Sequence, residues 1–161
     1  MSSPEFSVPA RDLDAAGKRF HFGVRAPWIR GAVEGTGIEV PGPDGELDVR
    51  LSKSGTDVVL RGMLTAEVVV PCARCLEPAR VAVHEPLSAL FVPRSALPGV
   101  RARGEERAEE AGLGEADVVP YDGETVVMDG LVRDEILLAI PMIPLCSEGC
   151  AGIRLAAPGE E

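Results

Sequence analysis

The sequence is organised around residues 68–78, which run Val68-Val69-Val70-Pro71-Cys72-Ala73-Arg74-Cys75-Leu76-Glu77-Pro78. The β-branched run at its start predicts a strand, and that strand ends in a Cys-x-x-Cys turn. About seventy residues later a second pair, Cys146 and Cys150, closes another apolar run. These four are the only cysteines in the chain. Two close pairs, each at the end of a hydrophobic element, are typical of one tetrahedral metal site.

Four thiolates with Cys-x-x-Cys and Cys-x-x-x-Cys spacing suit Zn²⁺, which binds sulfur at about 2.3 Å in a tetrahedron. We therefore predict a structural zinc site formed by Cys72, Cys75, Cys146 and Cys150. Two alternatives remain open from the residues alone: reduced cysteines without a metal, and a redox pair or disulfide. A thioredoxin-like role is disfavoured, because this Cys-x-x-Cys motif joins two predicted strands and does not open a helix.

Composition favours one soluble, strand-rich domain. The 161 residues and 45% hydrophobic content suffice for a sizeable core, while eighteen Gly and fourteen Pro favour strands joined by turns. The amino terminus lacks the basic region and apolar core of a signal peptide, and no apolar run approaches the length of a membrane span. We therefore predict a cytoplasmic protein without membrane contact, in which thiols stay reduced.

The net charge of −10 is unevenly distributed. Residues 1–91 carry ten Lys or Arg against twelve Asp or Glu, whereas residues 105–124 carry eight acidic residues against a single Arg. Most of the acidity therefore lies in one segment, and the remainder is close to neutral. Such a balance neither requires nor excludes RNA as a partner.

Residue patterns predict a β-rich α+β fold. Alternating apolar and polar residues over 31–91 indicate an antiparallel meander or partly closed barrel, in which Gly62 marks a bulge or a bend. One helix is predicted over residues 130–140 in the C-terminal half, with Asp129 as its N-cap. Each cysteine pair, together with the residues between its two members, is called a knuckle below. The first knuckle, 72–75, is predicted to lie at a hairpin tip, and the second knuckle is 146–150.

We predict a single domain over residues 1–161 with three less ordered parts. These are a loose N-terminal segment at 1–14, an acidic and disordered insert at 93–124, and a frayed tail at 153–161. The insert is a charged run punctuated by Gly and Pro with few large apolar residues, which is typical of segments that cannot bury a core.

The sequence does not favour an enzyme. A catalytic zinc needs an open coordination position, and four cysteines close the coordination shell. The sequence contains no glycine-rich phosphate loop after a strand and no nucleophile–base motif. We therefore predict no catalytic residues and no small-molecule substrate, and an enzyme is the second alternative to the function given below.

The motif Cys72-x-x-Cys75-Leu76-Glu77, with Arg74 inside the pair, resembles the YceD family. The likeness extends to Asp129-x-Leu131-x-x-x-Glu135-x-x-Leu138-x-x-Pro141-x-x-Pro144-Leu145-Cys146, to the preceding meander and to the acidic insert, and it covers roughly residues 15–152. Family members are bacterial and plastid proteins described as needed for accumulation of large-subunit ribosomal RNA.

The resemblance implies a non-enzymatic, ribosome-biogenesis role in large-subunit ribosomal RNA accumulation or processing, through contact with that RNA or with a ribosomal protein. Candidate contact residues on the meander and first knuckle are Arg74, Arg80, Arg61 and Arg50, although each also fits an ordinary exposed arginine on a strand. The first alternative is a zinc-stabilised protein–protein adaptor without RNA contact. A basic strand face favours RNA, and an exposed apolar patch favours a protein partner.

The chain departs from the family pattern near its C-terminal end. Many cysteine-rich members finish with Gly-Leu-Cys-Pro-x-Cys-Gly, where this chain has Gly152-Ile153-Arg154-Leu155. A metal site that uses the first two cysteine pairs is complete here, and one that uses the last knuckle is not.

Overall fold

A computed structural model describes residues 3–96 and 117–153, within which there are seven strands and two α-helices. The strands are β1 (Ser7–Pro9), β2 (Lys18–Val24), β3 (Gly45–Ser54), β4 (Asp57–Pro71), β5 (Pro78–Pro93), β6 (Asp117–Tyr121) and β7 (Thr125–Val127). The helices are α1 (Ala26–Ala32) and α2 (Asp129–Leu138), and short 3-10 turns lie at Ala10–Asp12 and Arg94–Ala96.

Five strands form one open sheet in the order β2-β3-β4-β5-β6. The first three pairings are antiparallel, and β6 joins β5 in parallel. The two edge strands, β2 and β6, do not pair with each other, so the sheet does not close into a barrel. The predicted β-rich, mostly antiparallel meander is confirmed, as is a helix in the C-terminal half. The parallel strand β6 was not predicted, because its residues fall within the segment assigned to the acidic insert.

The hairpin of β4 and β5 is the longest element of the fold. Its register runs without interruption from Val58 opposite Phe91 to Pro71 opposite Pro78. Residues 57–71 therefore form one continuous strand of 15 residues. The hairpin tip carries the first cysteine pair, as predicted, so strand pairing alone fixes where that pair lies.

Gly62 allows β3 and β4 to approach closely. It lies opposite Val49 on one side and Leu87 on the other in a continuous register, so the prediction of a bulge is wrong. A Cβ atom at this position would lie 2.1 Å from the carbonyl oxygen of Asp48 and 2.8 Å from Cγ1 of Val49. Glycine is therefore required here by the neighbouring backbone and not by an extra residue in the strand.

The N-terminal segment packs against the C-terminal half. Strand β1 pairs antiparallel with β7, and Phe6 just before it is fully buried. The carboxylate of Asp129 accepts hydrogen bonds from the backbone N–H groups of Glu5, at 2.9 Å, and Phe6, at 2.8 Å. Asp129 is thus not the N-cap of α2, a position that Met128 holds without a side-chain bond. The prediction of a loose segment over residues 1–14 is therefore wrong for residues 5–9, which pack against the C-terminal half.

Helix α1 was not predicted, and Pro27 lies in its first turn. Proline is well tolerated in the first turn of a helix, where its missing N–H has no intrahelical partner. The helix buries Ile29 completely, and Trp28 packs edge-on against Phe6 with ring centroids 4.8 Å apart. Arg133 of α2 donates from Nε to the carbonyl oxygen of Ala32 at 2.8 Å, which joins the two helices.

Most of the buried residues form one continuous hydrophobic cluster that draws on both described sheets and both described helices. Outside the named strands, Glu39 forms an isolated antiparallel bridge with Val69. Most of the predicted insert, 93–124, and nearly all of the predicted tail, 153–161, lie outside the described residues. Among the described residues, no helix is long and apolar enough to cross a bilayer.

We expect Gly62→Ala to lower the free energy of unfolding by about 2–3 kcal/mol, because the added methyl group overlaps the backbone of β3. Gly23→Ala in β2 is the matched control, since nothing lies within 4 Å of a Cβ atom there. That change should be neutral or stabilising by up to about 1 kcal/mol. Urea denaturation of both variants measures the difference, and equal stabilities would contradict the proposed close approach.

Candidate metal centre

The first knuckle lies in the tight turn between β4 and β5. The backbone N–H of Cys72 donates to the carbonyl oxygen of Glu77 at 2.8 Å, and that of Leu76 donates to Cys72 at 3.0 Å. Leu76 has a φ of +64°, a left-handed conformation that costs a non-glycine residue about 1–2 kcal/mol. The turn therefore folds back tightly on itself and holds Cys72 in the interior, with Cys75 partly buried beside it.

The second knuckle follows α2 and docks on the first through backbone contacts. Leu145 packs against the core immediately before Cys146, and the N–H of Cys150 donates to the carbonyl oxygen of Ser147 at 3.2 Å. The N–H of Ala73, inside the first pair, donates to the carbonyl oxygen of Pro144 at 2.7 Å. A backbone hydrogen bond thus joins the first knuckle to the segment that leads into the second, although the two are about seventy residues apart in the sequence.

A side chain of the first knuckle adds a further link between the two. Arg74 donates from Nη1 to the carbonyl oxygen of Cys150 at 3.2 Å. Its own carbonyl oxygen lies 3.7 Å from the position that a Cβ atom would take on Gly152, whose φ is +81°. The arginine inside the Cys-x-x-Cys pair is therefore part of the docking interface.

The four sulfur atoms converge on one point. They all lie within 4.8 Å of one another, with Sγ–Sγ distances of 3.8 Å between Cys72 and Cys150 and 3.6 Å between Cys75 and Cys146. A disulfide bond measures about 2.05 Å, so these are free thiols. A tetrahedron with metal–sulfur bonds of about 2.3 Å has sulfur–sulfur edges of about 3.8 Å. The donor set and its spacing therefore fit a four-coordinate metal ion without any further knuckle.

Electrostatics within the cluster also favour a cation. Backbone N–H groups, that of Cys146 foremost, point at the sulfur of Cys72 and lower the pKa of its thiol to about 6. The N–H of Glu77 favours a thiolate at Cys75, but burial and the nearby sulfurs of Cys150 and Cys146 outweigh it and raise the pKa there to about 12. Without a metal, ionisation of one thiol thus opposes ionisation of its neighbours. A bound dication removes that opposition and allows all four to ionise.

The four arginines that were predicted as RNA or partner contacts lie in two different places in the structure. Arg74 lies in the knuckle interface, and Arg80 donates from Nη1 to Oε1 of Glu67 at 2.7 Å near the same end of the sheet. Arg50 and Arg61 instead lie directly opposite each other on β3 and β4. Arg80 is at the level of Val69, eight residues beyond Arg61 and thus roughly 26 Å along the strand. Whether any of them contacts RNA stays a prediction.

Two features of the surface were not predicted. Arg19 of β2 lies directly opposite Arg50, so that it extends the pair on β3 and β4 to three strands. The alternation of Arg19 with Phe20 indicated an exposed position, but only the register shows which residue faces it. Large exposed apolar side chains also lie directly after the first knuckle and, along the sequence, on either side of the second, namely Leu76, Leu138, Met142, Ile143 and Ile153.

A family model described as large ribosomal RNA subunit accumulation protein YceD matches residues 60–161 of the chain, a span that includes both knuckles. Uncharacterised proteins of Mycobacterium bovis and Mycobacterium tuberculosis are each 33% identical to it over 109 residues, which is 67% of this chain and 47% of the relative. A Mycobacterium leprae relative, also uncharacterised, is 30% identical over 108 residues, or 66% of this chain and 44% of its own length. The chain thus spans about half the length of these curated relatives. No solved structure gives a significant match.

The pKa shifts predict a stepwise ionisation of the metal-free, reduced protein. Ultraviolet thiolate absorbance should show a first step as the pH rises through about 6, well below the ordinary value of 9.0 for a thiol, because backbone N–H groups stabilise the thiolate of Cys72. The step should be absent from Cys72→Ser and retained in Cys146→Ser, where the pKa of the deleted thiol is raised. A single step near the ordinary value would contradict the assignment.

Proposed function

The chain belongs to the YceD family, and from that membership we propose that it is a non-enzymatic accessory protein of ribosome biogenesis. In this proposal the protein acts in the cytoplasm, where it supports the accumulation or processing of large-subunit ribosomal RNA. The observation that carries it is the family match over residues 60–161, because that span contains every cysteine and the strand hairpin that positions the first pair. The partner in this role is the RNA itself or a ribosomal protein.

A structural Zn²⁺ bound by Cys72, Cys75, Cys146 and Cys150 is the second part of the proposal. It is supported by the convergence of the four sulfurs, by sulfur–sulfur distances close to a tetrahedral edge, and by backbone N–H groups that favour a thiolate at Cys72. All four positions are protein thiols, so no coordination site is left for a substrate. The ion would link the β4–β5 hairpin tip to the segment that follows α2.

Protein purified under reducing conditions without added zinc should contain about one zinc per chain. Replacing Cys146 and Cys150 together with Ser should abolish it and lower the free energy of unfolding by several kcal/mol, because structural zinc binds with roughly 10–16 kcal/mol in small peptides. Elemental analysis and thermal denaturation check the two effects. Ser147→Ala, an exposed change in the same turn, is the control and should keep both the metal and the stability. Wild-type protein without metal would contradict the site.

The cellular role can be tested by depleting the protein in its host. The amount of large-subunit ribosomal RNA should fall relative to small-subunit RNA, as measured by electrophoresis of total RNA. Wild type and Ser147→Ala should restore the ratio, whereas the double Cys146→Ser, Cys150→Ser variant should not. An unchanged ratio after full depletion would contradict the proposed function.

A second candidate function has structural support of its own. A zinc-stabilised adaptor that binds a protein without touching RNA would use the exposed apolar side chains beside the second knuckle, such as Leu138, Met142 and Ile143. Exposed clusters of this kind mark protein interfaces. If this candidate is right, Met142→Ser with Ile143→Ser should fail to restore ribosomal RNA in depleted cells, while changes to the arginines of the sheet should have no effect.

A further inference from the structure

We propose that Arg19, Arg50 and Arg61 form a row on the outer face of the sheet that binds the phosphate backbone of RNA. The name "arginine row" is used below for these three residues. The proposal deepens the function given above and rests on it for the choice of RNA as the polyanion. The row itself follows from this chain's own register, since Arg19 and Arg50 lie outside the family match at residues 60–161.

Strand pairing places the three side chains next to one another. Arg19 of β2 is opposite Arg50 of β3, and Arg50 is opposite Arg61 of β4. Residues directly opposite each other point to the same face of a sheet, and all three are exposed. Neighbouring strands lie about 4.8 Å apart, so the backbone positions of the row span roughly 10 Å.

This arrangement is unfavourable for the sheet by itself. Like charges directly opposite on neighbouring strands are destabilising, and Arg19 and Arg50 are placed in this way. Within the described residues, the next pair along the same face is His21 and Asp48, which are hydrogen-bonded through Nδ1 and Oδ1 at 3.1 Å and do not carry like charges. A bound anion would offset the repulsion within the arginine row, because each phosphate oxygen can accept from more than one guanidinium group.

The guanidinium group of Arg50 is held in place before any ligand arrives. Its Nη2 donates to the carbonyl oxygen of Ala16 at 2.5 Å, and its Nε would lie only 2.9 Å from a Cβ atom on Gly17. Gly17 has a φ of +85°, and its N–H donates to Oδ1 of Asp14 at 2.9 Å, so the loop before β2 forms a fixed support. Because one donor is used internally and five are available on a guanidinium, Arg50 keeps donors for an anion at a low cost in side-chain entropy.

The arginine row borders a shallow depression of about 280 Å³. The residues that line it are Arg19, Asp48, Val49, Arg50, Arg61, Gly62 and Met63. Asp48 is the single carboxylate among them, and it is paired with His21. Arg61 also takes part in a further interaction within the chain, so Arg19 and Arg50 are the residues on which a test should act.

The surroundings of the arginine row favour a phosphate backbone over a protein surface. Protein interfaces commonly have an apolar centre, whereas Met63 is the one large flexible apolar side chain at this depression. Leu76, the exposed apolar side chain next to the first knuckle, lies beyond Pro71, and Arg61 is ten residues before Pro71 on β4, roughly 33 Å away. A polar, multiply charged and shallow surface is typical of contacts that neutralise phosphates.

The test measures binding of the full-length, zinc-loaded protein to a labelled single-stranded RNA of mixed sequence by fluorescence anisotropy over a series of salt concentrations. Arg19→Gln with Arg50→Gln should weaken binding about tenfold. It should also reduce the slope of log affinity against log salt by about 1.4, since each phosphate contact on a single strand contributes about 0.7. Arg19→Gln alone, which disturbs no contact to the loop before β2, should reduce the slope by about 0.7.

Arg80→Gln is the matched control, because it removes the same charge from the same sheet but from a residue paired with Glu67. Its affinity should stay within about twofold of wild type, as a contact outside the RNA path loses only weak long-range attraction. The proposal is overturned if the double variant keeps the wild-type affinity and slope, or if Arg80→Gln loses as much. It is also overturned if wild type does not bind RNA, and a fall in ribosomal RNA on depletion would then leave the proposed function intact through a ribosomal protein.

Discussion

The uninterrupted pairing of β4 with β5 is the constraint on which the rest of the structure depends. Because the register continues from Val58 to Pro71 without a bulge, the length of the hairpin alone fixes the distance between its tip and the middle of the sheet. The tip presents the first cysteine pair, and the middle presents Arg61 opposite Arg50. A one-residue slip would invert every side chain of the strand, which would bury the arginine and expose Leu60 and Leu64. The buried leucines therefore determine where the charged residues lie.

The second constraint is the docking of the knuckle after α2 onto that tip. The N–H of Ala73 donates to the carbonyl of Pro144, and the side chain of Arg74 donates to the carbonyl of Cys150, so one backbone and one side-chain hydrogen bond bring the pairs together before any metal is considered. Their convergence has an electrostatic cost, since thiolates in one cluster raise one another's pKa. A cluster that is geometrically assembled and electrostatically unfavourable without a cation is the arrangement expected of a metal site, in which binding free energy is also folding free energy.

Sequence patterns predicted the features that depend on local rules. The Cys-x-x-Cys hairpin tip, the helix of the C-terminal half and the meander follow from turn residues and periodicity, and all three are present. Helix α1 was missed, and its Pro27 shows why local patterns are ambiguous there, since proline is tolerated in a first turn but breaks a helix interior. The pairing of β1 with β7 and the parallel strand β6 were missed because each joins segments distant in sequence. The role of Asp129 was missed for the same reason, because its carboxylate accepts hydrogen bonds from the backbone of Glu5 and Phe6, which are distant in sequence, and not from its own helix.

The site shows a similar division between local and long-range information. Four cysteines in two pairs predict a shared ion, whereas four exposed arginines predict nothing about their mutual positions until a register is known. In the fold, Arg74 and Arg80 are engaged within the protein near the knuckles, while Arg50 and Arg61 join Arg19 in the middle of the sheet. The four-cysteine cluster and the arginine row are therefore separated by more than three Debye lengths of about 8 Å at physiological salt. A bound ion cannot act on the row through its charge, so any influence of the metal there must pass through the stability of the hairpin that carries both.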